Sequence, residues 1–184
     1  MNKSQLLEQI IIALEAVHKN AVTATNLAHE TATHGETVAE NKYDTFSLEA
    51  SYLAHGQAKR VAEYETDLAA YKKFTIQKFT SQTPVAPGAL VYLIEKNSNK
   101  GSIKKGSTDK SMPERIKTER IQTEMILFLG PAAGGLKLKM NTRNIMIITL
   151  AAPLGKVLAG RYVGEEVKMT IGKNEKNYEI VNIK

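Results

Sequence analysis

The stretch LLEQIIIALEAVHKNAVTATNLAHE, residues 6–30, decides the fold of the first half of this 184-residue chain. Its apolar residues recur at steps of three and four, a pattern kept for three heptads. The seam comprises Leu7, Ile10, Leu14, Val17, Ala21, Ala24 and Ala28. This spacing predicts a long amphipathic helix that packs on a partner helix. Ser4, just before the pattern, is the predicted N-cap.

A second helical pattern runs from about Glu36 to Lys73 and supplies that partner. Its apolar positions are Tyr43, Phe46, Ala50, Leu53, Val61, Tyr64, Leu68 and Tyr71. The phase slips once between Leu53 and Val61, where Gln57 occupies the seam. A turn near residues 33–36 makes the two helices antiparallel, so residues 1–80 are predicted to form a coiled-coil hairpin.

The seam changes along its length, from Leu and Ile near the chain start to Ala alone near the turn. Small residues let helices approach closely, so the hairpin is predicted to narrow into a finger about 40 Å long. The same periodicity fits an ordinary bundle arm that packs on the rest of the protein or on a second copy.

Acidic residues crowd the predicted tip of this finger, near residues 33–44. Glu36, Glu40 and Asp44 step by four and would share one helical face. Carboxylates so placed raise one another's pKa unless a cation lies between them, and two carboxylates plus water are a usual Mg²⁺ environment. A solvated helix start, where acids are favoured by the helix dipole, explains the same residues.

The second half, residues 81–184, predicts a small β-rich domain. The predicted strands are residues 89–95, 124–129, 144–150, 166–171 and 178–183, with a hairpin turn over 172–177. Pro153 and Gly160 bracket a short predicted helix. The expected fold class is therefore α+β: a long antiparallel helical hairpin followed by a small antiparallel sheet with one short helix.

Charge divides the chain in the same place. Residues 1–80 carry 8 basic and 10 acidic side chains, whereas residues 81–184 carry 17 and 9. A basic insertion near residues 96–120 contributes much of this excess. It fits a solvated loop, a phosphate-binding loop or a surface for an acidic protein.

Several function classes are disfavoured by composition. The chain has no Cys, and all four His lie in the first half, so the β domain cannot build a Ser-His-Asp triad by itself. The apolar runs, such as Ile10–Leu14, are far shorter than a membrane span. A cytoplasmic protein without a membrane partner is therefore expected.

The stretch GPAAGGLKLKMNTRNIMIITLAAPLGKVLAGRYVGEEVKM, residues 130–169, resembles the C-terminal signature of the Gre-type transcription elongation factors of bacteria (GreA and GreB). Tyr178–Ile183 resembles that family's closing strand. Glu40-Asn41, followed closely by Tyr43, resembles its acidic-tip motif.

The resemblance implies an FKBP-like C-terminal domain that docks at the rim of the RNA polymerase secondary channel, with the coiled coil entering the channel. The tip carboxylates Glu36, Glu40 and Asp44 would assist the polymerase in cleaving backtracked RNA. Glu36 and Glu40 would hold an Mg²⁺ shared with the polymerase, and no tightly bound cofactor is expected. The resemblance further implies partner contacts through Asn41, Tyr43, Pro153, Leu154 and Gly155.

In this interpretation the protein is a monomeric accessory factor. The polymerase is the enzyme, and nascent RNA is contacted only indirectly. Thr37, a neutral residue, stands where the family's first tip acid belongs. This leaves open a non-cleaving relative that competes for or inhibits the channel. An FKBP-like protein-binding module unrelated to transcription is the third hypothesis.

Overall fold

A computed structural model describes residues 2–33, 46–96, 124–171 and 174–184 of the chain. Two long helices come first, then six strands with one short helix, which confirms the predicted α+β class. The elements are α1 (Lys3–Thr33), α2 (Phe46–Lys72), β1 (Leu90–Lys96), β2 (Glu124–Leu129), β3 (Lys137–Met140), β4 (Arg143–Ile148), α3 (Pro153–Leu158), β5 (Glu166–Ile171) and β6 (Asn174–Ile183).

The six strands form one sheet in the order β3-β4-β2-β1-β6-β5. Four of the five pairings are antiparallel, but β2 and β4 are parallel, with Ile126 opposite Ile145. The prediction of a wholly antiparallel sheet was therefore wrong. The Gly-rich turn after β2 leads first to β3 at the edge, and β4 then returns between the two. Residue periodicity specifies strands but not which strand lies beside which.

Two other strand predictions need correction. β3 was not predicted, although Leu136 to Met140 alternates apolar and basic residues and ends at an Asn-Thr turn. The predicted turn over 172–177 was too long, because β6 begins at Asn174 and pairs with Ile171. Two lysines lie in β3, and Asn and Lys predominate at the start of β6. Both residue types are poor strand formers, and pairing with a neighbouring strand overrides that preference.

The sheet is apolar on both faces, which explains why β1 and β2 are almost wholly apolar. Along β1, Val91 and Leu93 contact one cluster together with Leu154 and Leu158 of α3. Leu90 and Tyr92 contact the opposite cluster together with the base of the helical hairpin. The described residues thus form three layers: hairpin, sheet and short helix.

In the described part of the hairpin, the residues buried against the sheet lie at its base. Leu6, Ile10 and Leu14 of α1 and Leu68 and Tyr71 of α2 are buried in the cluster on that face of the sheet. Because the two parts share this core, they do not pack as separate units. The division at residues 80/81 stays a prediction.

The seam of α2 differs from its prediction. Leu53 is 56% exposed, and Ala54 lies in the seam in its place. Gln57 lies in the seam as predicted, so the heptad runs from Ala50 to Tyr71 without a slip. The N-cap prediction also moves by two residues. Asn2, rather than Ser4, caps α1, because its Oδ1 accepts a hydrogen bond from the Ser4 N–H at 2.9 Å.

Within the described residues, no helix combines the length and the apolar character that crossing a bilayer requires.

Candidate functional site

The predicted tip residues Glu36, Glu40, Asn41, Tyr43 and Asp44 all lie outside the described residues. Their shared face, and the Mg²⁺ site assigned to Glu36 and Glu40, stay predictions. Among the described residues, no cluster of His, Asp and Glu is arranged to hold a metal ion. The structure does define the two helices that carry the tip, up to Thr33 on one side and from Phe46 on the other.

In the distal half of α1, the threonine side chains are hydrogen-bonded within the helix. Hydroxyls of four threonines donate to carbonyl oxygens four residues earlier, at 2.8–3.1 Å; these are Thr23, Thr25, Thr31 and Thr33. Such bonds are local to the helix and need no partner from the sheet. Ala21 and Ala28 are the buried residues of this half, so a narrow two-helix finger extends beyond the base.

One side of the finger carries a groove of about 350 Å³ over the small-residue seam. It is lined by Val17, Asn20, Ala21, Ala24, Gln57, Arg60 and Tyr64. Leu27 lies one heptad beyond Asn20, and Leu53 one heptad before Arg60, so both leucines lie on the same side of the seam as the groove. Leu27 is 64% exposed and Leu53 is 56% exposed. These two exposed leucines beside the groove were not identified from sequence, because Leu53 was assigned to the seam.

The opposite side of the finger is polar near its base. His18 lies 3.4 Å from Glu65, and Lys72 lies 3.8 Å from Glu15. These pairs are largely exposed, so each contributes little to stability. Both pairs join α1 to α2 across this side of the finger.

The base of the finger is joined to the Gly-rich turn after β2 by Tyr71. Its hydroxyl donates to the carbonyl oxygen of Ala132 at 3.0 Å, and burial raises the pKa of the phenol. Gly130 passes directly beneath, where a Cβ would lie 2.2 Å from the Tyr71 oxygen. The resemblance to a family signature singled out this glycine-rich turn, and the contact with Tyr71 gives a physical reason for Gly130.

Asp67, one turn before Tyr71, contacts the same turn. Burial raises the pKa of its carboxyl, the hydrogen bond that it accepts from the Ala133 N–H lowers the pKa, and the neighbouring Glu63 raises it.

Lys3 provides a second link between finger and sheet, from the start of α1. Its ammonium donates to the Gly88 carbonyl at 3.2 Å and lies 4.5 Å from the centre of the Phe79 ring. Together these contacts set the direction in which the finger leaves the sheet.

The remaining predicted partner-binding residues open α3. Pro153 is exposed, whereas Leu154 is 6% exposed and packs in the core beneath the sheet. Gly155 is buried, and a Cβ there would lie 2.0 Å from the Thr149 carbonyl oxygen. Packing therefore explains Leu154 and Gly155, and partner contact by the three stays a prediction. Leu150 and Tyr162, each 44% exposed, are apolar surface that sequence reasoning missed.

The basic insertion is described only at its first residue. Lys96 belongs to β1, and its ammonium lies 2.6 Å from Glu166 and 2.9 Å from Glu179. Hydrogen bonds to these carboxylates, first to Glu166, raise the pKa of Lys96. This charge is thus neutralised within the sheet, and residues 97–120 of the insertion lie outside the described residues.

No protein-family model and no curated protein matches this sequence. Among solved structures, the chain is similar to the GreA factor homolog 1 (Gfh1) of Thermus thermophilus, with 17% identity, a TM-score of 0.35, and 98% of this chain and 93% of that chain covered. It is similar to a second structure of the transcription factor Gfh1, with 18% identity, a TM-score of 0.37 and coverages of 96% and 92%. Thermus aquaticus Gfh1 matches with 17% identity, a TM-score of 0.35 and the same coverages. Likeness of this degree assigns neither an activity nor a partner.

Proposed function

We propose that the protein is a transcription elongation factor-like accessory protein that binds RNA polymerase at the secondary channel and inserts its coiled-coil tip toward the active site. The observation that carries the proposal is the finger. Its 31-residue first helix is about 47 Å long, yet only its base packs on the sheet. A finger with an alanine seam buries little apolar area, so its reach rather than its stability is the useful property.

Two features of the sequence favour polymerase as the partner. The 130–169 stretch resembles the Gre C-terminal signature, and Glu40-Asn41 with Tyr43 resembles the acidic tip. In this proposal Glu36, Glu40 and Asp44 approach the polymerase Mg²⁺, while Asn41, Tyr43 and the exposed Pro153 contact polymerase. The polymerase performs any cleavage, by two-metal chemistry.

The test uses backtracked elongation complexes with a 3′-labelled transcript. If the tip carboxylates act, adding the protein with Mg²⁺ shortens the RNA, and Glu40→Ala abolishes shortening without weakening binding. Glu8→Ala, which removes an exposed carboxylate near the base of the finger, is the matched control and should cleave normally. Binding without shortening, combined with inhibition of a genuine Gre factor, would support a non-cleaving occupant of the channel.

Insertion of the tip is tested separately from cleavage. When Fe²⁺ replaces Mg²⁺ in the polymerase active site and hydrogen peroxide is added, hydroxyl radicals form there and cut nearby backbone. Cuts in this protein should cluster within residues 30–47. A lack of binding to polymerase, or cuts confined to the sheet, would refute the proposal.

An FKBP-like binding or isomerase module has less support. Such a site needs an apolar pocket lined by exposed aromatic rings, but Tyr92, Phe128 and Tyr178 are all core residues, 4%, 0% and 2% exposed. Of the aromatic residues described in the β half, Tyr162 alone is exposed.

A further inference from the structure

β3 is an edge strand, paired with β4 on one side and with no strand described on the other. Its side chains alternate between the faces of the sheet. Leu138 and Met140 pack against the cluster at the hairpin base. Lys137 and Lys139 lie on the other face, opposite Met146 and Asn144 of β4. The strand therefore has one apolar and one basic side, next to backbone groups that can still accept a partner.

A cavity of about 490 Å³ adjoins this strand. Its lining is mostly apolar and comprises Glu124, Met125, Ile126, Lys137, Leu138, Lys139, Asn144, Ile145 and Met146. Two methionines contribute flexible, polarisable side chains that adapt to different occupants. The two lysines stand at its outer edge.

These lysines differ from the charged residues at the opposite edge of the sheet. On β5, Glu166 is paired with Lys96 and Lys168 with Glu175, and α3 packs against that strand. Among the described residues, no salt bridge includes Lys137 or Lys139. Lysines on an edge strand ordinarily deter pairing with other chains. The lysines do not repel an acidic strand, because its carboxylates carry the opposite charge.

We propose that β3 docks an extended acidic segment of a partner protein, which adds to the sheet as a seventh strand. Main-chain hydrogen bonds along β3 supply affinity, and alternate side chains supply specificity. Residues facing Lys137 and Lys139 are acidic, and the residues between them are apolar, continuing the surface of Leu138 and Met140. The occupant is thus a segment in which acidic and apolar residues alternate. The site lies on the sheet and does not depend on the proposed function of the finger.

A polypeptide fits this site better than a nucleic acid does. Single-stranded nucleic acids bind where basic residues accompany exposed aromatic rings on which bases stack. Here the surface on the face of the lysines is formed by Met125 and Met146, and among the described residues no aromatic side chain lines the cavity. Apolar side chains of a peptide match that lining, and carboxylates match the lysines.

The test is fluorescence anisotropy with the full chain and a fluorescein-labelled peptide, Gly-Val-Glu-Val-Glu-Val-Glu-Gly. A peptide of the same composition with the three Val before the three Glu is the sequence control. We expect the alternating peptide to bind at least about tenfold more tightly than the control, with affinity falling as salt rises. Equal binding of the two peptides would overturn the proposal, since charge alone would then suffice.

Variants locate the site. The double variant K137E/K139E should weaken binding at least about tenfold. The matched double variant K73E/K156E, with two exposed lysines replaced elsewhere, makes the same change in net charge and should bind nearly normally. Amide hydrogen exchange should slow in residues 137–140 when the peptide is bound. Protection on β5 or on the finger instead, or tighter binding of a dT₈ oligonucleotide that displaces the peptide, would refute the assignment.

Discussion

Thr142 has a backbone conformation that its side chain disfavours. It forms the β3–β4 turn with Asn141, and their φ angles are 65° and 48°. A two-residue hairpin turn with both φ values positive favours Asn followed by Gly, because a β-branched side chain is strained there. Asn141 suits its position, whereas Thr142 does not.

Replacing Thr142 by glycine should therefore stabilise the protein. We expect Thr142→Gly to raise the free energy of unfolding by about 1 kcal/mol, since relief of strain outweighs the extra entropy of an unfolded glycine. Urea unfolding followed by circular dichroism measures this. Thr142→Ala removes the hydroxyl and methyl groups but keeps Cβ, and should gain less; a destabilised glycine variant would show that the turn is not strained.

Gly130 is required for a different reason, because there is no room for a side chain at this position. In Gly130→Ala the new methyl group would collide with the Tyr71 hydroxyl and displace the link between finger and sheet. We expect a loss of about 1–3 kcal/mol. Gly134→Ala, in the same turn, places its Cβ 3.4 Å from the Thr149 side chain and is the matched control. Equal stability of the two variants would mean that Tyr71 moves aside easily.

Asp67 makes stability depend on pH. Because burial raises the pKa of its carboxyl above the unfolded value, the ionised form is disfavoured in the folded state. The resulting loss of folding stability is present at neutral pH. It disappears as the pH falls below the pKa of this carboxyl in the unfolded chain, about 3.9. Asp67→Asn should therefore raise the melting temperature at pH 7 and have little effect near pH 3. Glu8→Gln, which alters an exposed carboxylate, is the control; a gain that persists at pH 3 would contradict this cause.

At the scale of elements, α2 contains a glycine where a helix gains nothing from one. A Cβ at Gly56 would meet no atom within 4 Å. Gly56→Ala should stabilise the helix by about 1 kcal/mol, because alanine loses less backbone entropy on folding. The reverse exchange at the exposed Ala58, Ala58→Gly, should cost a similar amount. Thermal unfolding followed at 222 nm checks both, and a destabilised Gly56→Ala would imply that the finger needs a flexible point here.

Helices and strands could be predicted from sequence where their apolar residues recur with a regular period. β2 and β5 have the predicted bounds, because their residues alternate or run wholly apolar between clear turn signals. β3 was not predicted, because its two lysines are more typical of a loop than of a strand, and its strand conformation depends on pairing with β4. The parallel β2–β4 pairing depends on contacts across the sheet, which no local pattern encodes.

The candidate site was predictable in part for similar reasons. The helical hairpin and its alanine seam follow from heptad spacing, which leaves open whether the hairpin is a finger or a bundle arm. The exposed side with Leu27 and Leu53 does not follow from it, because the larger apolar residue Leu53 was assigned to the seam although Ala54 keeps the heptad without a slip. The acids of the tip stay a prediction based on spacing and resemblance.

At the scale of the whole molecule, the finger and the sheet should unfold together because they share a core. Ile10→Ala should cost about 3 kcal/mol and shift the helical signal at 222 nm and the near-ultraviolet signal of the buried Tyr71, Tyr92 and Tyr178 to the same lower urea concentration. Ile12→Ala, two residues away and 50% exposed, is the control and should change little. Separate transitions for the two signals would show that the finger folds independently.

The pairing of β1 with β6 also has a kinetic consequence. Val91 lies opposite Ile183, so the centre of the sheet closes only when residues some ninety positions apart meet, a slow step for a chain of this size. Helical turns form locally and fast, but the two helices are not stable by themselves. Their largest apolar residues are buried only against the sheet, and packing along the short alanine seam is too weak to stabilise them alone. The protein should therefore acquire its finger late, in the same rate-limiting phase that completes the sheet.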